Sequence, residues 1–196
     1  MAICRISMGL FVSLIVVHEI CRAGNDMPNG KNDSLTINAY GLATRVLKHK
    51  ADQFIFERID KNNSADLFEI SGCNGKILIK GNNGISMASG LNWYLKKYCK
   101  VQFSIIDEQL NLPDKLPRPT STEQVRTTYN YRYFFNVCTF SYTMAWWDWK
   151  QWERQIDWMA MNGVNLMLLS AGELPREVIV TVRESHQFES ERDLAK

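Results

Sequence analysis

The pattern that most constrains the fold lies between residues 131 and 169. Residues 131–137 and 164–169 are two apolar runs of the kind that form buried strands, and Asn162-Gly163 supplies a helix stop before the second. Between the runs, Asp148 can cap a helix whose apolar residues repeat with helical spacing: Trp149, Trp152, Ile156 and Met159. Two strands joined by one helix over so short a stretch must be parallel, with a right-handed connection.

Five of the six tryptophans fall in this stretch, and their positions predict two different roles. Trp149, Trp152 and Trp158 lie on the predicted helix, and we expect them to pack in the core. Trp146 and Trp147 lie in the loop before the helix, where they are better placed to form one wall of a ligand site.

Polar residues gather where the first of these strands ends, at Asn136, Cys138 and Thr139. In a β/α barrel, the C-terminal ends of the strands and the loops after them hold the active site. Glu173 follows the second strand and can reach the same edge. A lone carboxylate, however, cannot form the pair of acids that glycosidic hydrolysis requires.

Two further acidic residues, Glu153 and Asp157, lie one turn apart on the predicted helix. Because that helix lies outside the sheet, we interpret both as solvated charges that interact with Lys150 or Arg154. They are not predicted to act in catalysis.

The part of the chain before residue 111 predicts a smaller and separate architecture. A helical stripe begins after Ser34, which is placed to cap it, and the Gly81–Gly84 segment is an ordinary turn because it lacks a phosphate-loop lysine. The predicted order is helix, three strands, helix and strand, over residues 35–50, 54–56, 67–70, 76–80, 87–98 and 101–105. This order predicts a small α+β sandwich with its helices on one face of the sheet.

Three of the five prolines, Pro113, Pro117 and Pro119, fall in one short segment. Proline at this density disfavours both strand and helix, so we place a linker at residues 112–128.

The first 23 residues have the layout of a secretory signal peptide. Arg5 precedes an apolar run over residues 8–17, and Cys21 and Ala23 place small residues before a possible cleavage site. Ten apolar residues span only about 15 Å of helix, too short for a membrane anchor. We therefore expect the chain to enter the secretory pathway.

Secretion bears on two other features of the sequence. Asn32 and Asn62 each begin an acceptor triplet for N-glycosylation, in polar surroundings. The three cysteines after the signal peptide are Cys73, Cys99 and Cys138, an odd number, so at least one stays unpaired within the chain. A Cys73–Cys99 disulfide is possible.

The sequence around the tryptophans closely resembles the α-N-acetylglucosaminidase family, the lysosomal exo-glycosidases of heparan sulfate breakdown. The resemblance is dense over residues 131–169 and looser, but collinear, upstream at residues 84–99 and in the proline-rich linker. It is carried by Asn-Val-Cys-Thr-x-Ser-Tyr from Asn136, Trp-Trp-Asp-Trp from Trp146, Trp-Glu-Arg from Trp152, and Ile-Asp-Trp-Met-Ala-Met-Asn-Gly-Val-Asn from Ile156.

The resemblance implies a metal-free, cofactor-free retaining glycosidase that acts on terminal α-linked N-acetylglucosamine. In that mechanism one carboxylate attacks the anomeric carbon and another protonates the leaving oxygen. It implies that Asn136 hydrogen-bonds a sugar hydroxyl, that Cys138 forms part of the pocket floor, and that Tyr142 contacts the sugar. The family's two catalytic glutamates are expected on later barrel strands, beyond this chain.

The resemblance also implies the fold class, an α/β protein that carries only part of its catalytic domain. We expect a small α+β N-terminal domain followed by the first β-α-β unit of a (β/α)8 barrel, truncated because a full barrel takes about 250 residues. After Glu173 the sequence departs from the family pattern. The predicted segments are a signal peptide (1–23), N-terminal domain (24–111), linker (112–128), start of the barrel (129–173) and divergent tail (174–196).

Two functions remain open at this stage. The chain is either the N-terminal part of a lysosomal glycosidase, inactive by itself, or a secreted carbohydrate-binding or interaction module derived from one. Its expected partner is the terminal N-acetylglucosamine of a glycosaminoglycan. A formal net charge of +2 is too small to predict binding to nucleic acid or to an anionic membrane.

Overall fold

A computed structural model describes residues 33–60, 65–106, 110–134, 144 and 146–167 of the chain. Its elements are three helices and six strands, with a 3₁₀ turn (Lys48–Gln53) after the first helix and a π turn (Leu95–Cys99) after the second. They are α1 (Ser34–Leu47), β1 (Phe54–Arg58), β2 (Leu67–Cys73), β3 (Lys76–Gly81), α2 (Gly84–Tyr94), β4 (Glu123–Arg126), β5 (Tyr133–Phe134), α3 (Trp149–Met161) and β6 (Leu166–Met167).

The larger sheet has the strand order β1-β3-β2-β4, in which β1 and β3 are parallel and the other neighbours are antiparallel. Alternate residues of its strands face a single core, and α1 and α2 bury their apolar stripes against that face. The strand residues of this core are Phe54, Phe56, Phe68, Ile70, Ile77 and Ile79. The predicted α+β sandwich with helices on one face is therefore confirmed.

The position of the fourth strand differs from the prediction. Residues 101–105 form no strand, because the carbonyls of Ser104 and Ile105 instead accept hydrogen bonds from the Arg154 guanidinium, at 2.7 and 2.9 Å. Strand β4 takes that place from within the segment 112–128, pairing antiparallel with β2. The expectation of no strand in that segment is wrong at its C-terminal end. This end lies after the last proline of the segment, and the edge of β2 offers it unpaired backbone groups.

The helix boundaries follow capping chemistry. The N-cap of α1 is Asp33, not the predicted Ser34, and its Oδ1 accepts from the backbone N–H of Leu35 at 3.3 Å. Asp148 caps α3 as predicted, in a reciprocal capping box with Gln151. The helix stops at Asn162, and Gly163 follows with a φ of 76°, a conformation that favours glycine.

Helix α2 packs very close to the sheet at Gly90. A Cβ atom on this residue would lie 2.8 Å from Ile79 Cγ2 and 3.3 Å from the Phe68 ring. The absence of a side chain at Gly90 therefore sets the distance between the helix and strands β2 and β3.

Strands β5 and β6 are parallel, with Tyr133 opposite Leu166 and Phe134 opposite Met167. The predicted parallel β-α-β unit is confirmed for these residues. The prediction that both strand faces are covered is wrong within the described residues: Phe134 and Met167 pack with the core under α3, whereas Tyr133 is 55% exposed and Leu166 also faces outward. Helix α3 can cover only one face of a two-stranded sheet.

Three cysteines follow the predicted signal peptide, and two of them, Cys73 and Cys99, lie in the described part of the chain. They do not form a disulfide with each other. Burial raises the pKa of the Cys99 thiol. Cys138 lies outside the described residues. Among the described helices, none is long and apolar enough to cross a membrane.

Candidate functional site

The residues predicted to contact sugar, Asn136, Cys138 and Tyr142, lie outside the described part of the chain, as does Glu173. The described part of β5 ends at Phe134, two positions before Asn136. Because β5 and β6 are parallel, their described C-terminal ends, Phe134 and Met167, lie at the same edge of the sheet. The sugar contacts of these residues remain predictions.

The loop before α3 separates the two tryptophans that were predicted to form a ligand wall. Trp146 is 93% exposed. Trp147 is half-buried, with its ring edge-on to Trp152 at a centroid distance of 5.4 Å, and its backbone N–H donates to the Met144 carbonyl at 3.1 Å. Of these two tryptophans, only Trp146 offers a whole ring to a ligand.

The tryptophans on α3 pack as predicted. Trp152 is buried, and Trp149 and Trp158 pack half-buried against the same apolar cluster. The Trp158 ring lies 5.2 Å from that of Phe134, so α3 is held directly on strand β5.

The interpretation of Asp157 as a solvated charge is wrong. This carboxylate is 4% exposed and accepts two hydrogen bonds from Arg45 of α1, Nε to Oδ2 at 2.8 Å and Nη2 to Oδ1 at 2.6 Å. Glu153 Oε1 lies 3.7 Å from the same guanidinium. The partner is separated from Asp157 by 112 positions, which is why helical spacing alone pointed to Lys150 and Arg154 instead.

The electrostatics of this pair indicate a structural role. Burial raises the pKa of Asp157, and this effect is larger than the lowering of that pKa by Arg45. The hydrogen bonds with Asp157 raise the pKa of the Arg45 guanidinium. The guanidinium fork takes up both carboxylate oxygens, so Asp157 connects α1 to α3 and is not placed to protonate a substrate.

Other side-chain contacts join the same two parts of the chain. Arg154 donates to the carbonyls of Ser104 and Ile105, and its guanidinium lies 5.0 Å from the Phe103 ring centroid. Asn92 of α2 donates to the Met161 carbonyl at 2.8 Å. Arg132, just before β5, pairs with Asp66, just before β2. The sandwich and the β-α-β unit are thus packed as one body.

A groove of about 430 Å³ lies where the two parts meet, between α2 and the segment that follows β4. Arg132 and Gly163, which border it, precede strands β5 and β6. The groove therefore lies at the N-terminal ends of these strands, opposite the edge where barrel enzymes place their active sites. Sequence reasoning missed this groove because its lining comes from four separate segments.

A small α/β sandwich packed on the first β-α-β unit of a β/α barrel is the class of architecture that this geometry defines. The family model described as "Alpha-N-acetylglucosaminidase (NAGLU) N-terminal domain" matches residues 38–118, and "Alpha-N-acetylglucosaminidase (NAGLU) tim-barrel domain" matches residues 132–189. The chain belongs to the α-N-acetylglucosaminidase family, of which it carries the N-terminal domain and part of the barrel domain. The second match continues beyond Glu173, into the segment predicted to be divergent.

Individual relatives agree with this assignment. The human protein named alpha-N-acetylglucosaminidase is 43% identical over 98 residues, which cover 50% of this chain and 13% of the human protein. A family 89 glycoside hydrolase from Clostridium perfringens, in complex with 2-acetamido-1,2-dideoxynojirmycin, superposes with a TM-score of 0.68 at 44% identity, covering 74% of this chain and 17% of that one. The same enzyme with two glutamates changed to glutamine was solved with its substrate, GlcNAc-alpha-1,4-galactose, and gives the same TM-score.

Proposed function

We propose that the chain is the N-terminal part of an exo-acting retaining glycosidase that removes terminal α-linked N-acetylglucosamine from heparan sulfate. The observation that carries this proposal is the 44% identity to the Clostridium perfringens enzyme across the matched fold, at a TM-score of 0.68. The complex of that enzyme with GlcNAc-alpha-1,4-galactose identifies the kind of sugar that the family recognises.

The proposed sugar-contacting residues come from the family resemblance, and the direction of strand β5 supports them. Asn136, Cys138 and Tyr142 follow its described end in the sequence, and β/α barrels bind substrate beyond the C-terminal ends of their strands. Asn136 hydrogen-bonds a hydroxyl of the sugar, Cys138 forms part of the pocket floor, and Tyr142 lies beside them. The exposed ring of Trp146, in the loop that follows, adds an apolar wall on the same side.

The chemistry itself requires two carboxylates about 5 Å apart, one as nucleophile and one as acid. The family's catalytic glutamates are proposed to lie beyond this chain. Of the two acids on α3, Asp157 accepts hydrogen bonds from Arg45 with both carboxylate oxygens, and Glu153 lies beside the same guanidinium. The acids of α3 therefore supply no such pair, and the chain by itself is proposed to be inactive.

Purified alone, the chain is expected to show no hydrolysis of 4-nitrophenyl α-N-acetylglucosaminide above the buffer background, because the family's two catalytic glutamates are proposed to lie beyond it. The Clostridium perfringens enzyme in the same assay is the positive control. Turnover by the purified chain that survives repeated chromatography would contradict the proposal.

The second candidate, a carbohydrate-binding module, is favoured by one observation, the 93% exposure of the Trp146 ring. Calorimetric titration with N-acetylglucosamine separates the two functions. Saturable binding that Asn136→Ala or Trp146→Ala removes would support a binding module that uses this edge of the sheet. A silent titration with a folded sample supports the enzyme fragment.

The chain is proposed to pass through the secretory pathway, to a lysosome or to the outside of the cell. Expressed in mammalian cells, it should begin at Gly24, and enzymatic removal of N-glycans should reduce its mass. Asn32→Gln and Asn62→Gln should each remove one glycan step on a gel, with Asn130→Gln, which begins no acceptor triplet, as the control. An intact Met1 and an unchanged mass would contradict this proposal.

A further inference from the structure

The groove between α2 and β4 has the size and floor of a small-ligand site. Its volume of about 430 Å³ falls within the range of about 300–1,000 Å³ typical of such sites. Phe68 and Val125, opposite each other in paired strands, contribute an apolar floor. Junctions between packed units of a fold, such as this one, are preferred places for ligand pockets.

Two aromatic side chains stand along the groove. Trp93 is 40% exposed, and its ring is held from behind by Phe68, at a centroid distance of 6.1 Å, and by Glu123, which accepts from the indole Nε1–H at 3.1 Å. Tyr129, on the segment after β4, is also exposed, and its backbone N–H donates to the Thr127 hydroxyl at 3.2 Å. A fixed aromatic face binds the apolar face of a ring-shaped ligand at low entropic cost.

The cations of the groove differ in how they are neutralised. Arg132 is paired with Asp66. Lys96 and Arg126 take part in none of the ion pairs found among the described residues; Lys96 Nζ reaches only the amide oxygen of Asn162, at 3.4 Å. Both cations lack a counter-charge among the described residues, and Lys96 follows Trp93 by three positions, on the same side of its helix. This arrangement favours a ligand that is both anionic and ring-shaped.

The remaining lining supplies neutral hydrogen-bonding groups. Ser89, Thr127 and Thr128 border the groove with hydroxyls, and Asn92 borders it with an amide. Hydroxyls and amides of this kind match the many hydroxyl groups of a sugar. An acidic peptide would satisfy the two cations but would leave the aromatic face and most of these hydroxyls without a matching partner.

We propose that this groove binds an acidic saccharide. A ring of the saccharide lies against Trp93, and its carboxylate or sulfate group is held by Lys96. Arg126, at the end of the edge strand β4, adds electrostatic attraction. The site is separate from the one proposed for N-acetylglucosamine, which lies at the opposite ends of β5 and β6, and it does not depend on the chain being part of an active enzyme.

Calorimetric titration of the full chain tests the proposal, with a sulfated, uronate-containing disaccharide as the probe. We expect saturable binding that weakens as salt is raised from low to physiological ionic strength, because the cations are exposed. The double variant Lys96→Gln/Arg126→Gln should bind at least about tenfold more weakly, which corresponds to about 1.4 kcal/mol. Lys76→Gln, at an exposed lysine outside the groove, is the matched control and should bind as the parent does.

Four results would overturn the proposal: no binding by a folded chain, or equal binding by a neutral disaccharide, by inorganic sulfate or by an acidic peptide. Competition by N-acetylglucosamine would also do so, because it would assign the probe to the other site. Trp93→Leu removes the aromatic face and leaves both cations. This variant should weaken binding of the disaccharide without changing any residual binding of sulfate. Failure of these experiments leaves the N-acetylglucosamine titration unaffected.

Discussion

Replacing Arg45 with glutamine is expected to lower the free energy of unfolding by about 2 kcal/mol at pH 7. The variant leaves the buried Asp157 carboxylate without its bidentate partner. Loss of one partner of a fully buried ion pair costs about 3–5 kcal/mol. We expect less here because the Arg45 side chain is 41% exposed, so water screens part of the interaction.

The effect of this variant should depend on pH in a defined direction. Burial raises the pKa of Asp157 in the folded chain, so the carboxyl binds a proton more readily folded than unfolded. The stabilisation that such a group contributes is fully present below its pKa in the unfolded chain, about 3.9. It is lost as the pH rises through the pKa of the group in the folded chain. Removing the Arg45 charge raises the folded pKa of Asp157 further. The destabilisation should therefore be largest near neutral pH and shrink as the pH approaches 4.

Urea unfolding, followed by tryptophan fluorescence at pH 7 and pH 4.5, measures both effects. The double variant Arg45→Gln/Asp157→Asn should recover part of the loss at pH 7, because it leaves no unpaired charge. Arg58→Gln is the control: the Arg58 side chain in its pair with Asp33 is 51% exposed and the two atoms are 3.3 Å apart, so its effect should stay within about 0.5 kcal/mol. A destabilisation by Arg45→Gln that does not change with pH would contradict this account of Asp157.

Replacing Gly90 with alanine is expected to destabilise the chain by about 1–2 kcal/mol. The added methyl group would lie 2.8 Å from Ile79 Cγ2 and 3.3 Å from the Phe68 ring. Both neighbours are buried in the main core, and the β-branched Ile79 cannot turn away freely. This strain outweighs the gain of about 1 kcal/mol that alanine usually brings inside a helix.

Gly41 in α1 offers a matched control for that variant. A Cβ atom there would meet only Arg45 Nη1, at an ordinary contact distance of 3.6 Å. Gly41→Ala should therefore stabilise the chain by about 0.5–1 kcal/mol. The two glycine variants, measured by urea unfolding, should change stability in opposite directions. A stabilising Gly90→Ala would show that α2 does not pack so closely on the sheet.

Much of the fold could be predicted from local pattern. The helical stripes of α1 and α3, the apolar run at residues 77–79, and the Asp148 cap are all properties of short windows of sequence. The parallel β-α-β unit followed from the length of its connection, because two parallel strands need a crossover.

The features that sequence reasoning missed depend on distant partners. Residues 101–105 alternate like a strand, yet the groups that fix their backbone belong to Arg154, about fifty positions later. The pattern of apolar and polar residues in β4 is too weak a signal to predict a strand. The strand depends on the open edge of β2, which pairs with it. The Arg45–Asp157 pair and the groove also join segments that no local window contains. The sugar-contacting residues came only from the family resemblance and remain predictions.

The late position of β4 has a consequence for how the sandwich is completed. During synthesis, strand β2 forms around residue 70, but its neighbour β4 is complete only when residue 126 has been added to the chain. Until then, the growing polypeptide carries an open strand edge that can pair with another molecule. A fragment that stops at residue 111 keeps this edge permanently, whereas one that reaches Arg126 closes it. The smallest autonomous form of this sandwich therefore extends past the prolines, to Arg126.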